Sequence, residues 1–202
     1  MRIGIDCRLW NETGVGRYTR NLVEQLQVLD KTNEYVLFVR NSDAQSIKYK
    51  VVSSKYKNWK VVTADVRWHS IEEQVKFPAI LDKEHLDLMH FPYFSVPIFY
   101  TKPFVVTIHD LILNHFPTGK ASTLPYPLYQ AKRLGYSFVL SHAVKNARKI
   151  IVPLHFVEDD VVKTLGVPRK KIVVTYEGVD EKVLSSKYKV LSITKDENTK
   201  YL

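Results

Sequence analysis

Seven short runs of almost uninterrupted apolar residues, rich in β-branched and aromatic side chains, recur at 2–7, 35–40, 60–64, 87–91, 104–109, 150–153 and 172–176. A half-exposed antiparallel strand alternates apolar and polar residues, whereas a strand covered on both faces has no wet side and need not alternate. Longer stretches with helical spacing lie between several of the runs. The pattern predicts an α/β fold, a Rossmann-like parallel sheet flanked by crossover helices.

The helices follow from spacing and punctuation. Tyr18, Leu22, Leu26 and Leu29 form one apolar stripe over a helix at 15–29. A second helix is expected at 70–84, with Pro78 kinking or splitting it. A long helix, basic on one face, is expected at 124–148, and a shorter one at 156–165, stopped by Gly166 with Pro168 just beyond. Residues 1–180 read as one domain. From 181 to 202 the chain alternates Lys, Ser, Asp and Asn with few apolar anchors, which reads as a polar linker or tail.

With 202 residues, 45% of them hydrophobic, the chain is large enough for one domain with a sizeable core. No run approaches the roughly 18 apolar residues that span a bilayer, and the opening segment is patterned as a strand rather than a signal peptide. A single cysteine, Cys7, excludes an intramolecular disulfide and a multi-cysteine zinc site. These features suit a cytoplasmic protein. The charge is uneven: residues 1–101 hold 14 Lys and Arg against 12 Asp and Glu, and residues 102–202 hold 16 against 9. An excess of +7 in the second half favours an anionic partner, whether nucleic acid, membrane surface, lipid phosphate or nucleotide.

Five stretches carry possible chemistry. Arg8 and the loop with Gly14, Gly16 and Arg17 follow the first strand and open the first helix, so the loop is either a structural turn or an anion site built on bare backbone N–H groups. It has Gly-x-Gly but lacks the third glycine of a dinucleotide fingerprint and the Walker lysine. Another strand delivers His109 and Asp110 to its carboxyl end, where an imidazole can donate to a sugar or phosphate beside a carboxylate that orients it or meets a hydroxyl. His90, Tyr93 and Phe94 close a further strand, where rings either face a sugar or cap the core. His90 and His109 have no convincing third or fourth ligand, so no metal is expected. The basic and aromatic stretch with Lys48, Lys55, Tyr56, Trp59 and Lys60 reads as a ligand-binding surface or as a solvated loop or edge strand. Lys132, Arg133, Lys145, Arg148 and Lys149 of the long helix suit anionic lipid or form its wet face.

In order and spacing these pieces resemble the N-terminal domain of family 4 glycosyltransferases, and particularly the mannosyltransferase-like members that build surface polysaccharides. The opening Ile3 to Arg8 with Thr13 to Tyr18, the segments 87–97 and 106–110, and the run 147–153 followed by 165–168 and 171–180 carry the likeness. It implies the N-terminal half of a GT-B fold, whose cleft is closed by a second, donor-holding domain. The implied activity is metal-independent, retaining transfer from a GDP- or UDP-sugar to a saccharide or lipid-linked acceptor, with no cofactor. On the same resemblance Gly14, Gly16, Arg17 and Arg8 serve the donor phosphates or brace the loop, and His109 with Asp110 meets the transferred sugar. His90, Tyr93 and Phe94 would face the acceptor. Peripheral contact with an anionic membrane is compatible with it and nucleic acid is not expected. Where the family places a serine and, three residues on, a second hydroxyl residue, this chain has Leu154 and Val157. A stand-alone basic module for anionic lipid or nucleic acid is the competing expectation.

Overall fold

The computed structural model describes residues 1–51, 57–116 and 125–178. Seven strands, β1 (Arg2–Asp6), β2 (Glu34–Val39), β3 (Trp59–Thr63), β4 (Leu88–Phe91), β5 (Phe104–Thr107), β6 (Lys149–Val152) and β7 (Ile172–Val174), form one sheet in the order β3-β2-β1-β4-β5-β6-β7. Every pairing is parallel. The helices are α1 (Gly14–Leu29), α2 (Asn41–Val51), α3 (Ile71–Asp82), α4 (Ile112–His115), α5 (Tyr126–Asn146) and α6 (His155–Leu165). The expected α/β sheet is present. Its strands match the seven apolar runs with small differences at their ends.

Burial explains why the runs do not alternate. In β2, Tyr35, Leu37 and Val39 enter one core cluster, while Val36 and Phe38 enter a second cluster on the opposite face. Both sides are dry, so period two leaves no polar trace.

Three expectations change. Helix α1 buries the stripe of Tyr18, Leu22, Leu26 and Leu29 only in part; its fully buried residues are Gly16, Thr19, Val23 and Gln27, while Leu29 is 77% exposed. The polar pair can be inside because Thr19 Oγ1 donates to the Val15 carbonyl at 2.8 Å and Gln27 Nε2 to the Val51 carbonyl at 2.9 Å. Pro78 does not split α3, which starts from Ser70, whose Oγ accepts from the Glu73 backbone at 3.1 Å, and runs through the proline. The basic stretch around Lys48 divides between helix α2 and the edge strand β3, with Lys55 and Tyr56 outside the described residues. Trp59 is buried and stacked on Tyr35 at 4.2 Å, and Lys60 pairs with Glu84 at 2.8 Å, so neither is offered to a ligand.

Gly166 ends α6 with φ of 65°, as the Gly-x-Pro punctuation predicts. Leu154 stands at the N-cap of the same helix and makes no side-chain cap bond. The polar tail expected at 181–202 lies outside the described residues.

Candidate functional site at the strand switch

Strand order reverses its progression between β1 and β4, and in open α/β sheets the crevice beyond the carboxyl ends at such a switch is where ligands bind. Asp6, Arg8, Leu9, Val15, Trp68, Pro92, Tyr93 and Ser95 line a depression there. A second depression beside it is lined by Tyr93, Phe94, Thr107, Ile108, His109, Asp110, Leu113 and Tyr136.

On the β1 side, the loop is held from below. Arg8 is buried, with Nη2 at 2.7 Å from Asp6 and 2.6 Å from Glu73, and its guanidinium lies 3.6 Å above the Phe77 ring. Burial opposes its charge, yet the two carboxylates outweigh that and hold its pKa above the ordinary value. Of the two roles expected for Arg8, bracing the loop is the one its position allows, because its guanidinium is already engaged. Gly16 is also inside. A Cβ there would stand 2.5 Å from the Leu9 carbonyl oxygen and 2.6 Å from that of Trp10, so this glycine lets α1 press against the loop backbone. Arg20 donates to the same Trp10 carbonyl.

Gly14 is different. It is exposed, and a Cβ there would meet nothing within 4 Å. It opens α1 behind Thr13, which gives no side-chain cap, and the first turn holds no acidic residue. The leading amides of α1 have no intrahelical partner and carry the positive end of its dipole, and Val15 in that first turn lines the crevice. Arg17 is exposed nearby, with no ion-pair or hydrogen-bond partner for its guanidinium among the described residues.

On the β4–β5 side, His109 follows β5. Its Nε2 is 3.0 Å from the Pro92 carbonyl, which can only accept, so Nε2 carries a proton and Nδ1 is the atom that faces Glu177 at 3.4 Å. The Tyr18 ring, from the first turns of α1, meets the imidazole edge-on at 4.9 Å between centroids. The glycine loop's helix and His109 thus sit on one edge of the sheet and touch.

Two comparisons bear on what such an edge belongs to. A model of Glycosyltransferase Family 4 matches residues 13–183. The chain belongs to Glycosyltransferase Family 4. In fold it is similar to the crystal structure of Arabidopsis thaliana UGT89C1, with a TM-score of 0.51 at 8% identity. The match covers 89% of this chain and 50% of that one, so the chain spans half the length of the structure it resembles. No curated protein sequence matches it.

In this family 4 chain the other expected residues are distributed differently from their sequence neighbours. Asp110 does not orient His109; its Oδ1 accepts from the Ile112 amide at 2.9 Å at the start of α4, and the carboxylate at the imidazole is Glu177. Tyr93 is half-buried and lines both depressions, and burial with the nearby Asp110 charge pushes its hydroxyl up to about 12. Phe94 is buried in the core cluster and meets Tyr136 edge-on. His90 is buried too. Its Nε2 is 2.9 Å from Thr107 Oγ1, which in turn lies 3.3 Å from the Tyr18 hydroxyl, so it backs the site instead of lining it.

Trp68 and His69 carry no motif and were not singled out by sequence, whereas Tyr18 and Thr107 fall in segments that carry the family likeness but had no site role assigned to them. Trp68 and His69 join Tyr93 in an aromatic cluster, the His69 and Tyr93 rings stacked at 5.9 Å. Their signal was positional, since they follow the carboxyl end of β3 and precede the Ser70 cap. Among the described residues no group of three ligating side chains is placed to hold a metal ion.

Burial, then the His109 charge, lowers the His90 pKa to about 4 from an ordinary 6.5. The folded value lies below the unfolded one, so as pH falls the unfolded chain takes up the proton first. Stability from neutral His90 is therefore complete above about 6.5 and is lost toward 4, amounting to about 3 kcal/mol. Urea unfolding at a series of pH values should show this slope in the wild type and a shallower one in His90→Gln.

Proposed function

We propose that this chain is the acceptor-side half of a retaining glycosyltransferase that moves mannose or a similar sugar from a GDP- or UDP-sugar to a saccharide or lipid-linked acceptor. The contact between α1 and His109 on one edge of the switch point carries this reading. A positive helix end at Gly14 and the cation of Arg17 suit a diphosphate, and His109, its Nε2 proton given to the Pro92 carbonyl, presents Nδ1 to accept from a hydroxyl of the transferred sugar. Fixed positive charge aimed at the departing diphosphate stabilises it without a metal. Tyr93, with Trp68 beside it, offers ring faces to an acceptor sugar.

A depression open on one side gives a donor no second wall, so a further Rossmann-like lobe completes the cleft, and the 202 residues alone transfer little or nothing. The reaction is placed in the cytoplasm, and nucleic acid is not a substrate. The test compares this chain with its parent polypeptide by calorimetry against GDP-mannose and UDP-glucose. The parent is expected to bind one of them and the isolated chain neither. A parent without a second Rossmann-like lobe, or an isolated chain that turns over as fast as the parent, would overturn the proposal.

A further inference from the structure

Helix α5 is apolar on two sides. Its buried residues, Leu140, Ala143 and Val144, face the sheet and all lie in its last third. On the opposite side Pro127, Ala131, Leu134 and Phe138 recur at spacings of four, three and four, which stacks them in one stripe. Among the described residues nothing covers the stripe, for Leu134 is 72% exposed and Phe138 61%. An uncovered apolar helix face in an otherwise well-packed domain marks an interaction surface.

Charge identifies the partner. From Leu111 to Val157 the chain has six Lys and Arg and no Asp or Glu. Lys145 continues the stripe seven residues past Phe138, with Arg148 and Lys149 just beyond. Lys149 Nζ donates to the Lys170 carbonyl at 2.8 Å, and Lys171 Nζ to the carbonyls of Val144 at 2.8 Å and Lys145 at 2.6 Å. These bonds gather cations from two segments at the foot of α5. Among the described residues no carboxylate pairs with Lys145, Arg148, Lys149, Lys170 or Lys171.

An apolar stripe leading into a carboxylate-free basic cluster matches an anionic bilayer, whose acyl boundary takes the apolar side chains and whose phosphates take the cations. A second copy of the chain suits it less, because a two-fold contact through this face would bring like charges together. The stripe also points away from the sheet, and so away from the crevice. We propose that the outer face of α5, with the basic cluster at its foot, seats the chain on an anionic lipid surface.

Flotation of the 202-residue chain with vesicles of phosphatidylcholine, with and without phosphatidylglycerol, tests this. Binding is expected to the anionic vesicles, falling as salt rises, and hardly at all to the neutral ones. Leu134→Ser with Phe138→Ser should weaken it about tenfold or more, from lost apolar insertion. Lys145→Ala with Lys149→Ala should weaken it several-fold and flatten the salt dependence. All four positions are exposed, so thermal unfolding should stay unchanged in both pairs. Equal binding to neutral vesicles, no binding to either kind, or indifference to the Leu134 and Phe138 changes overturns the proposal. It is equally overturned if those changes dissolve a wild-type dimer, or if an oligonucleotide binds through the same residues as tightly as the vesicles do. The assay contains no sugar nucleotide, so its outcome is independent of the transfer reading.

Discussion

Glu73→Ala is expected to lower the stability of this domain by about 3–5 kcal/mol, the cost of removing one member of a buried ion pair and leaving the other without it. The carboxylate is fully enclosed, and three groups depend on it: Arg8 Nη2 at 2.6 Å, Ser95 Oγ at 3.0 Å and the His69 amide at 2.8 Å. Asp6 keeps part of the Arg8 charge compensated, which holds the loss to that range. For a domain of this size the melting midpoint should drop by about 10 °C, read by calorimetry. Glu73→Gln keeps an acceptor and the side-chain volume and should cost clearly less. Equal losses from the two variants would mean that the charge pairing contributes nothing and that packing alone sets the effect. Because Arg8 leads from β1 into the glycine loop, and Glu73 belongs to α3, the pair ties the loop to the opposite layer of the domain.

The second large effect is on transfer by the parent polypeptide. His109→Ala is expected to reduce kcat/KM about a hundred- to a thousand-fold, the usual cost of losing a positioned imidazole at the reacting group. His109→Asn places a shorter hydrogen-bonding group on the same strand end and should recover a little of that. Steady-state kinetics decide it, provided the unfolding midpoint of each variant is unchanged. A fall of less than about threefold for His109→Ala would mean that the imidazole only braces Pro92, because a group touching the reacting sugar cannot be removed so cheaply.

The sheet could be read from the chain because strands that are dry on both faces leave long apolar runs, and that signal does not depend on tertiary detail. The facing of α1 could not. Its stripe of Tyr18, Leu22, Leu26 and Leu29 is the more apolar one, but Gly16 allows an approach to the Leu9 and Trp10 carbonyls that turns other residues inward. Close approach of two backbones is a property of the fold, and a glycine in a sequence does not say what comes near it. The site was legible in the same uneven way. His109 and the glycine loop stood at strand ends, where the rule for parallel sheets points. The partner of His109 did not follow from adjacency, since Asp110 turns to cap α4 and Glu177 arrives from beyond β7. His90 reads as a site residue because it also ends a strand, yet side chains near a strand end can point back into the core, and this one meets Thr107 instead of solvent.

The contact of Gly16 with the two loop carbonyls has a mechanical consequence. The loop has no slack against α1, and the other end of the helix is pinned where Gln27 bonds the Val51 carbonyl at 2.9 Å. A ligand pressing on Gly14 therefore meets a strut, and any displacement must carry all sixteen residues of the helix with it. The amides at that end are already aimed before anything arrives, so little ordering entropy is left to lose at the moment of capture.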